Sequence, residues 1–555
     1  MVRLGPEGAK PGSDEAYPSL TASQLSRVRA LAEPVEVRAG EAVFCAGDVD
    51  YDFVLVESGE VQIMLETPDA PARVVVRFGP GQFIGELNML TGQAAAFTGR
   101  AAAPARVRRV PHPRFRQLMA EDPELSDLIL RAFMARREIL RGGEGAHSLE
   151  IVGSRMSAAG LALRNWAARQ RLIHAWTDVD TPEGAALLES HGATVADLPL
   201  VVTQRAVLRQ ATPGMLAEHL GLAFRAVPGR VFDLVVVGGG PAGLAAAVYG
   251  ASEGLDTVLV DSVAVGGQAA ASSRIENYLG FPSGLSCGEL TARALVQAQK
   301  FGARINSPCS VRRLHTGGGH MAVTLDDGAE IPTHAVIVAT GARYRTLDLQ
   351  RWSEFEGAGI YYAATELEVR SCPGPAVTVV GGANSAGQAA LFLAHRFDRV
   401  ILVVRGADLS AGMSRYLVDR VLADPRIEVH TGAEVVALDG GDSLEEITLA
   451  ARAGDGRAVV PCRGLFCFIG AEPATGWLEG VAVDEDGFVL TDHDLSGDGV
   501  HAAFDLLGRG PLPYETSIPG VFAAGDVRHG SMKRVAAAVG EGASAVHSVH
   551  RAIGA

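Results

Sequence analysis

The sequence predicts a multidomain chain: an N-terminal β jelly-roll barrel with helices, a small α/β module, and a C-terminal α/β unit holding two dinucleotide-binding domains. Three observations predict it. Short strand-like runs separated by glycine turns fill residues 35–111. Strand and helix patterns then alternate over 148–227. Two strand–glycine turn–helix units follow, at 232–254 and 376–394. The length of 555 residues leaves room for three or four domains of about 150 residues each. The expected division is 1–147, 148–227, 228–345, 346–472 and 473–555, the last and third segments forming one split domain.

Composition narrows the function. Hydrophobic residues make up 48% and charged residues 20%, so each domain can bury a core. A formal net charge of −15 argues against a nucleic-acid binder, which needs a basic face. No apolar run is long enough to cross a bilayer, and the first twenty residues lack a signal-peptide core. A cytoplasmic location and a homodimer are expected. The six cysteines (Cys45, Cys287, Cys309, Cys372, Cys462 and Cys467) contain no CxxC pair, which excludes a zinc ribbon and a CxxC redox pair and leaves no metal site to expect.

In the first segment the strands are VEVRAG, AVFCAGD, DFVLVESGEVQIMLE, ARVVVRFG and RVRRVP, with a helix over 123–140. RGGEGAH, at 141–147, reads as a linker. The middle segment reads as strand 149–152, helix 159–170, strand 173–180, helix 182–192, strand 198–204 and helix 213–222.

The apolar run Phe232–Val237 leads into Gly238-Gly239-Gly240-Pro241-Ala242-Gly243 and then a helical stretch. Gly238 permits the tight turn, Gly240 lets backbone approach a pyrophosphate, and Gly243 lets helix and strand pack closely. The helix N-terminus offers free N–H groups to phosphates. The next strand ends in Asp261, placed to accept from a ribose hydroxyl. In the second unit Gly381 and Gly382 are followed by Ala383, Asn384, Ser385 and Ala386. Ala383 stands where the closest-approach glycine is expected. The following strand ends in Arg405 rather than an acid, which favours a 2′-phosphate and hence NADPH; Arg415 could add a second contact.

The segment from Gly229 onward resembles the low-molecular-weight thioredoxin reductases. The residues that carry this are Gly266-Gly267-Gln268, Ile275–Pro282 with Asn277, Ala339-Thr340-Gly341, and Thr516–Asp526 with Gly525 and Asp526. The resemblance implies FAD and NADPH as cofactors. It implies that Gly267, Gln268, Asn277, Thr340 and Gly341 line the flavin site, that Asp526 binds the ribityl chain, and that Val535 and Ala536 begin a helix facing the flavin. The family's CxxC follows a Gly-hydrophobic-x-Tyr stretch; here that stretch is GIYYAATELE, and the two cysteine positions are Ala363 and Glu366. Neither offers a thiolate, so the family's electron exit is missing. Cys372 lies nearby as a single candidate thiol.

The middle segment resembles the glutaredoxin or thioredoxin fold. Leu198-Pro199 stands where that fold has a cis-proline, and Ser154 and Ser157 stand where its cysteines are expected. The first segment resembles the cyclic-nucleotide-binding domains through Phe83–Gln93, which includes Gly85, Glu86 and Leu87. Glu86 would take a ribose 2′-hydroxyl. The family's phosphate-binding Pro-Arg is Ala94-Ala95 here, so cyclic AMP is expected to bind poorly, with Arg100 the nearest substitute cation.

The leading reading is an NADPH-dependent flavoprotein oxidoreductase whose acceptor is a quinone, a carrier protein, oxygen or an external disulfide. The alternative is a flavin- or nucleotide-binding signalling protein with slow turnover. A third reading is a working disulfide reductase that uses Cys372.

Overall fold

The computed structural model describes residues 13–49, 51–67, 70–86, 88–91, 93–141, 148–155, 157–203, 205–225, 229–268, 275, 278–317, 321–362, 364, 366–372, 374, 376–452, 456–495, 504–505 and 507–554. The expected linker at 142–147 lies outside them.

Two four-stranded antiparallel sheets form the N-terminal barrel. The strands are β1 (Pro34–Val37), β2 (Ala42–Phe44), β3 (Phe53–Ser58), β4 (Val61–Thr67), β5 (Ala70–Phe78), β6 (Phe83–Ile84), β7 (Thr98–Ala101) and β8 (Ala105–Val110). One sheet runs β1-β8-β3-β6 and the other β2-β7-β4-β5. Strand β3, FVLVES, is apolar on both faces because it lies against the other sheet and against the helices that follow. Phe53, Phe83, Phe115 and Phe133 fill that contact as neighbouring rings. The helix Pro123–Arg141 extends over the predicted span. Sequence periodicity missed β6 and β7, which are too short to show it.

The middle module has strands β9 (Leu149–Gly153), β10 (Ala175–Asp178), β11 (Leu200–Thr203) and β12 (Val207–Leu208) in the order β10-β9-β11-β12. β9 and β10 are parallel; β11 runs antiparallel to β9 and to β12. Threonine or serine caps start its helices Ala158–Arg169, Pro182–Ser190 and Pro213–His219. The Leu198–Pro199 peptide is cis.

The C-terminal unit holds two sheets with parallel centres, the first carrying two antiparallel strands at its edge, and a separate three-stranded antiparallel sheet. In the first, strands Thr257–Val260, Phe232–Val237, Glu330–Val338 and Val521–Ala523 are neighbours in that order. In the second, Leu465–Cys467, Ala376–Val380, Arg399–Val404 and Ile427–Thr431 are neighbours. The crossover segments Ala342–Tyr344 and Ala471–Pro473 pair antiparallel between the two.

Helix Ala158–Arg169 of the middle module touches both sheets' units. At its start, Leu161 is buried in the core of the second, with Tyr361, Ala364 and Cys372. A Cβ added at Gly357 would stand 3.3 Å from Leu161. At its end, Trp166 Nε1 donates to the Ser307 carbonyl (3.3 Å), and the Gln170 amide donates to the Ser307 hydroxyl. Truncating a buried leucine costs about 2–5 kcal/mol. Leu161→Ala is therefore expected to loosen this docking, seen as faster amide exchange in helix Ala158–Arg169 and around Ile360–Tyr361. Unchanged exchange at both places contradicts the bracket.

Candidate functional site

The first glycine turn is built by exclusion. Gly238 has φ +107, and a Cβ there would lie 2.3 Å from the Ala339 carbonyl oxygen. A Cβ at Gly243 would lie 1.8 Å from the Gly238 oxygen. Neither position admits a side chain. Gly240 is the opposite case: nothing stands within 4 Å of its missing Cβ, so its open side lies free at the start of helix Pro241–Ser252. Pro241 occupies the first helical position, where its absent N–H costs nothing. Ala242 is buried and packs this helix against the turn at Gly525 and against Gly542.

Other expected residues gather round this turn. Gly266 N–H donates to the Gly239 oxygen at 2.7 Å, and a Cβ at Gly267 would lie 2.9 Å from Gly240 Cα. The Gln268 amide donates to the Ala342 oxygen at 2.6 Å. Thr340 Oγ1 donates to the Ala474 oxygen at 2.9 Å, and Gly341, at φ +64, has an open Cβ side. Asp261 accepts from the N–H groups of Gly239 (2.7 Å) and Val263 (2.9 Å). Burial pushes its carboxyl above the usual range, and those N–H groups and Arg169 pull against that. Asp526 is half-buried and has no hydrogen-bond partner among the described residues; burial raises its carboxyl too. Val535 and Ala536 open the helix Val535–Ile553 with partial exposure. Asn277 lies outside the described residues.

Sequence reasoning missed the group that holds Asp526 in place. Buried Glu541 accepts from Gly525 N–H (2.7 Å), from Arg528 (3.0 and 3.2 Å) and from the Ser531 hydroxyl (2.8 Å). A single carboxylate among the small residues of AAAVGEGASAV was the available signal. Arg169 was missed as well, since it belongs to the middle module; it acts on both Asp261 and Tyr344.

The second turn has the same construction. Gly381 has φ +145, and a Cβ there would lie 2.3 Å from the Phe468 oxygen, while Ala386 is buried behind it. Gly382 lies beside Val404, and Ser385 is exposed on the first turn of helix Asn384–Ala394. Asn384 is engaged within the protein through its oxygen. Its Oδ1 accepts from Ser414 N–H at 2.7 Å, which pins the loop before helix Arg415–Ala423 to the glycine turn. Arg415 therefore starts its helix beside the turn. Arg405 follows strand Arg399–Val404. Both arginines are exposed, with no ion-pair partner among the described residues.

At the expected electron exit, Ala363 and the side chain of Glu366 lie outside the described residues; the backbone of Glu366 opens a short helix, Glu366–Ser371. Tyr362, just before Ala363, stacks on Tyr344 with ring centroids 5.2 Å apart and planes 4° apart. Burial pushes the Tyr344 hydroxyl up to about 12, with Arg169 opposing and Asp526 assisting. Cys372 is 7% exposed, and burial pushes its thiol up to about 12. It stays a thiol at neutral pH, so Cys372 is not an attacking thiolate. Across from this segment lies the turn holding Ser154 and Ser157, at the start of helix Ala158–Arg169. Arg164 of that helix acts on, and is acted on by, Glu368 and Arg370. The two positions where dithiols were expected thus belong to segments packed against each other.

In the barrel, Gly85 is buried and a Cβ there would strike Phe133 and Met89. Glu86 lines a small aromatic cavity with Tyr17, Tyr51, Ala95 and Arg136. Burial raises its carboxyl against the pull of Arg137 and Arg136, and its Oε2 has no hydrogen-bond partner among the described residues. Arg136, 2% exposed, donates to the oxygens of Ala16 (2.6 Å) and Gly85 (3.0 Å). Leu87 lies outside the described residues. Arg100 is not the substitute cation: it is bound to Glu66 (3.1 Å) and to the Gly40 oxygen (2.8 Å).

The residues at the first turn fit a dinucleotide. The open sides of Gly240 and Gly341, next to a helix N-terminus, leave room for a pyrophosphate, and Asp526 is an unspent acceptor. The second turn fits one too, with the guanidiniums of Arg405 and Arg415 at its rim. Among the described residues no cluster of His, Cys, Asp or Glu could hold a metal, and no helix is long and apolar enough to cross a membrane.

Comparison with known proteins agrees. Residues 232–542 match the family model described as pyridine nucleotide-disulphide oxidoreductase, and residues 34–122 match the cyclic nucleotide-binding domain. The thioredoxin reductase of Treponema pallidum is 32% identical over 323 residues, covering 57% of this chain and 95% of that protein. That of Listeria innocua is 29% identical over 320 residues, covering 56% and 91%. Among solved structures, the thioredoxin reductases of Lactococcus lactis (25% identity) and T. acidophilum (27%) both align with a TM-score of 0.51, covering 58% of this chain and 99% and 98% of theirs.

Cysteine accessibility has a direct readout. At pH 8, iodoacetamide is expected to label exposed Cys45 and to spare Cys372, Cys462 and Cys467, whose thiols burial holds up at about 11 to 12. Peptide mapping that finds Cys372 labelled as fast as Cys45 contradicts the buried-thiol assignment.

Proposed function

Because the chain belongs to the pyridine nucleotide-disulphide oxidoreductase family, we propose that it is an FAD-dependent oxidoreductase that takes hydride from NADPH and passes electrons to an acceptor other than an internal dithiol. Bound FAD supplies the redox chemistry; the protein supplies binding, orientation and electrostatics. The turn from Gly238 to Gly243, with Gly267 and Gly341, would hold the flavin's pyrophosphate. Asp261 would accept from its adenosine ribose and Asp526 from the ribityl chain, held by Glu541 through the Gly525 N–H. The turn from Gly381 to Ala386 would hold NADPH, with Arg405 and Arg415 on its 2′-phosphate.

The observation that carries this reading is the pairing of two glycine turns, the second with Ala383 in one glycine's place, with Ala363 and Glu366 at the dithiol positions. The relatives' name points to thioredoxin as acceptor. Thiol–disulfide exchange needs an attacking thiolate, and the chain offers none there. A small acceptor such as a quinone or oxygen suits the remaining chemistry better. We assign residues 148–227 to the glutaredoxin and thioredoxin class of fold, supported by the β10-β9-β11-β12 order and the parallel first pair. Ser154 and Ser157 remove its redox function, so it serves as a structural bracket. The divisions at 147, 227, 345 and 472 are part of the same proposal.

A second reading, a flavoprotein whose bound nucleotides set domain packing with slow turnover, is favoured by the helix that joins both nucleotide units. It predicts flavin reduction without efficient reoxidation by any acceptor.

The chain should purify with FAD, and NADPH should reduce that flavin with a kcat/KM about tenfold or more above that of NADH, the scale of a charge-assisted contact. Arg405→Ala should remove most of that preference and leave NADH unaffected. A chain that cannot be loaded with FAD, or one that uses NADH equally well, contradicts the assignment.

A further inference from the structure

A cleft of about 270 Å³ lies between the N-terminal barrel and the middle module. The barrel contributes Ala46, Gly47 and Ala94–Ala96, and the module contributes Thr203, Arg205, His219, Leu220 and Arg225. The two walls are joined by backbone and side-chain hydrogen bonds. Ala94 N–H donates to the Leu220 oxygen at 3.3 Å, and Arg205 Nη1 donates to the Gly47 oxygen at 3.2 Å. Gly47 is shaped for that arginine: it has φ +85, and a Cβ there would lie 2.0 Å from the guanidinium.

The cleft's charge is unbalanced. Among the described residues lining it, Arg137, Arg205 and Arg225 face one carboxylate, Glu218. Arg137 is 3% exposed, donates to Gln93 Oε1 at 3.0 Å and also faces Glu86. His219 is held toward its neutral form by burial and by Arg205. With Arg137 set against Glu86, Arg205 and Arg225 against the one carboxylate of Glu218 leave the cleft net positive, which draws an anion such as a phosphate. Part of the lining is apolar, with Ala94, Ala95, Leu172, Ile173 and Leu220. Such a site takes a flat or apolar body with one anionic end. Ala94 and Ala95 are where the resembled domains carry their phosphate arginine; Arg205 and Arg225 stand on the opposite wall, in the module.

We propose that this cleft binds a small phosphorylated organic anion of nucleoside 5′-monophosphate size, held by Arg205 and Arg225 of the middle module against the Ala94–Ala96 wall of the barrel. Such a ligand touches both units at once. The site is separate from the flavin and NADPH turns, and it is separate from the aromatic cavity at Glu86, with which it shares only Ala95 and Ala96 as lining.

The test is calorimetry on the full FAD-loaded chain, titrated with AMP, GMP, UMP, adenosine, inorganic phosphate and cyclic AMP. At least one 5′-monophosphate is expected to bind more tightly than about 1 mM. It should exceed both inorganic phosphate and its own nucleoside by about tenfold or more, the scale of a lost charge-assisted contact. Arg205→Ala with Arg225→Ala should weaken it by a similar factor, with the melting temperature retained. Glu86→Gln and Arg405→Ala should leave it unchanged. Failure of all three monophosphates overturns the proposal. So does binding no tighter than phosphate, or binding lost with Glu86→Gln, which locates the ligand in the barrel. Binding lost with Arg405→Ala locates it at the dinucleotide turn and overturns it equally.

Discussion

The docking of helix Ala158–Arg169 across the two nucleotide units is the constraint on which the arrangement of the site depends. Its first turn is buried with Leu161 in the core behind strand Ala376–Val380, and its last turn is fixed to Ser307 through Trp166 and Gln170. A helix is a rigid rod of about 1.5 Å per residue, so anchoring both ends sets the separation of what they touch. The same helix carries Arg169 toward Asp261 and Tyr344, and Arg164 toward Glu368. One element from outside the flavin and nucleotide units therefore contributes charge to both.

This docking gives the loss of thiols its meaning. The helix that begins just after Ser154 and Ser157 packs Leu161 against Tyr361, Ala364 and Cys372. The sequence of that segment has Ala363 and Glu366 at the positions of the resembled family's dithiol. Serine hydroxyls are poor nucleophiles and form no disulfides. The remaining thiol, Cys372, is packed so tightly that a Cβ on Gly464 would stand 2.6 Å from its Sγ. What the segment keeps is aromatic: Tyr344 stacked on Tyr362, whose hydroxyl bonds Glu356. A stacked, half-buried tyrosine pair, with Tyr344 near Asp526, walls the site without offering an exchangeable bond.

The first glycine turn was legible because strand, turn, helix and acid follow one another within about thirty positions. The middle module's order of elements was legible for the same reason, apart from two-residue β12. What bars a side chain at Gly238 and at Gly381, the carbonyls of Ala339 and Phe468, lies far along the chain and was not legible. Contacts between distant segments were not legible. Arg169 and Arg205 have ordinary surface-arginine surroundings in sequence, and only the fold brings them to Asp261 and Gly47. Proximity in sequence also misled: Arg100 stands close to Ala95 along the chain, yet it sits on strand β7 and is bound to Glu66. The bond by which Asn384 Oδ1 ties the Ser414 loop to the second turn was not legible either.

The central claim is that electrons leave the flavin by a route other than thiol exchange. Anaerobic stopped-flow measures it most directly: the flavin is reduced with one equivalent of NADPH, then mixed with a soluble quinone or with thioredoxin disulfide, and its absorbance is followed. The account predicts reoxidation by the quinone at least about a hundredfold faster than by the disulfide, a difference of roughly 2.7 kcal/mol in barrier. Reoxidation by thioredoxin at a comparable rate, abolished in Cys372→Ser, would contradict it.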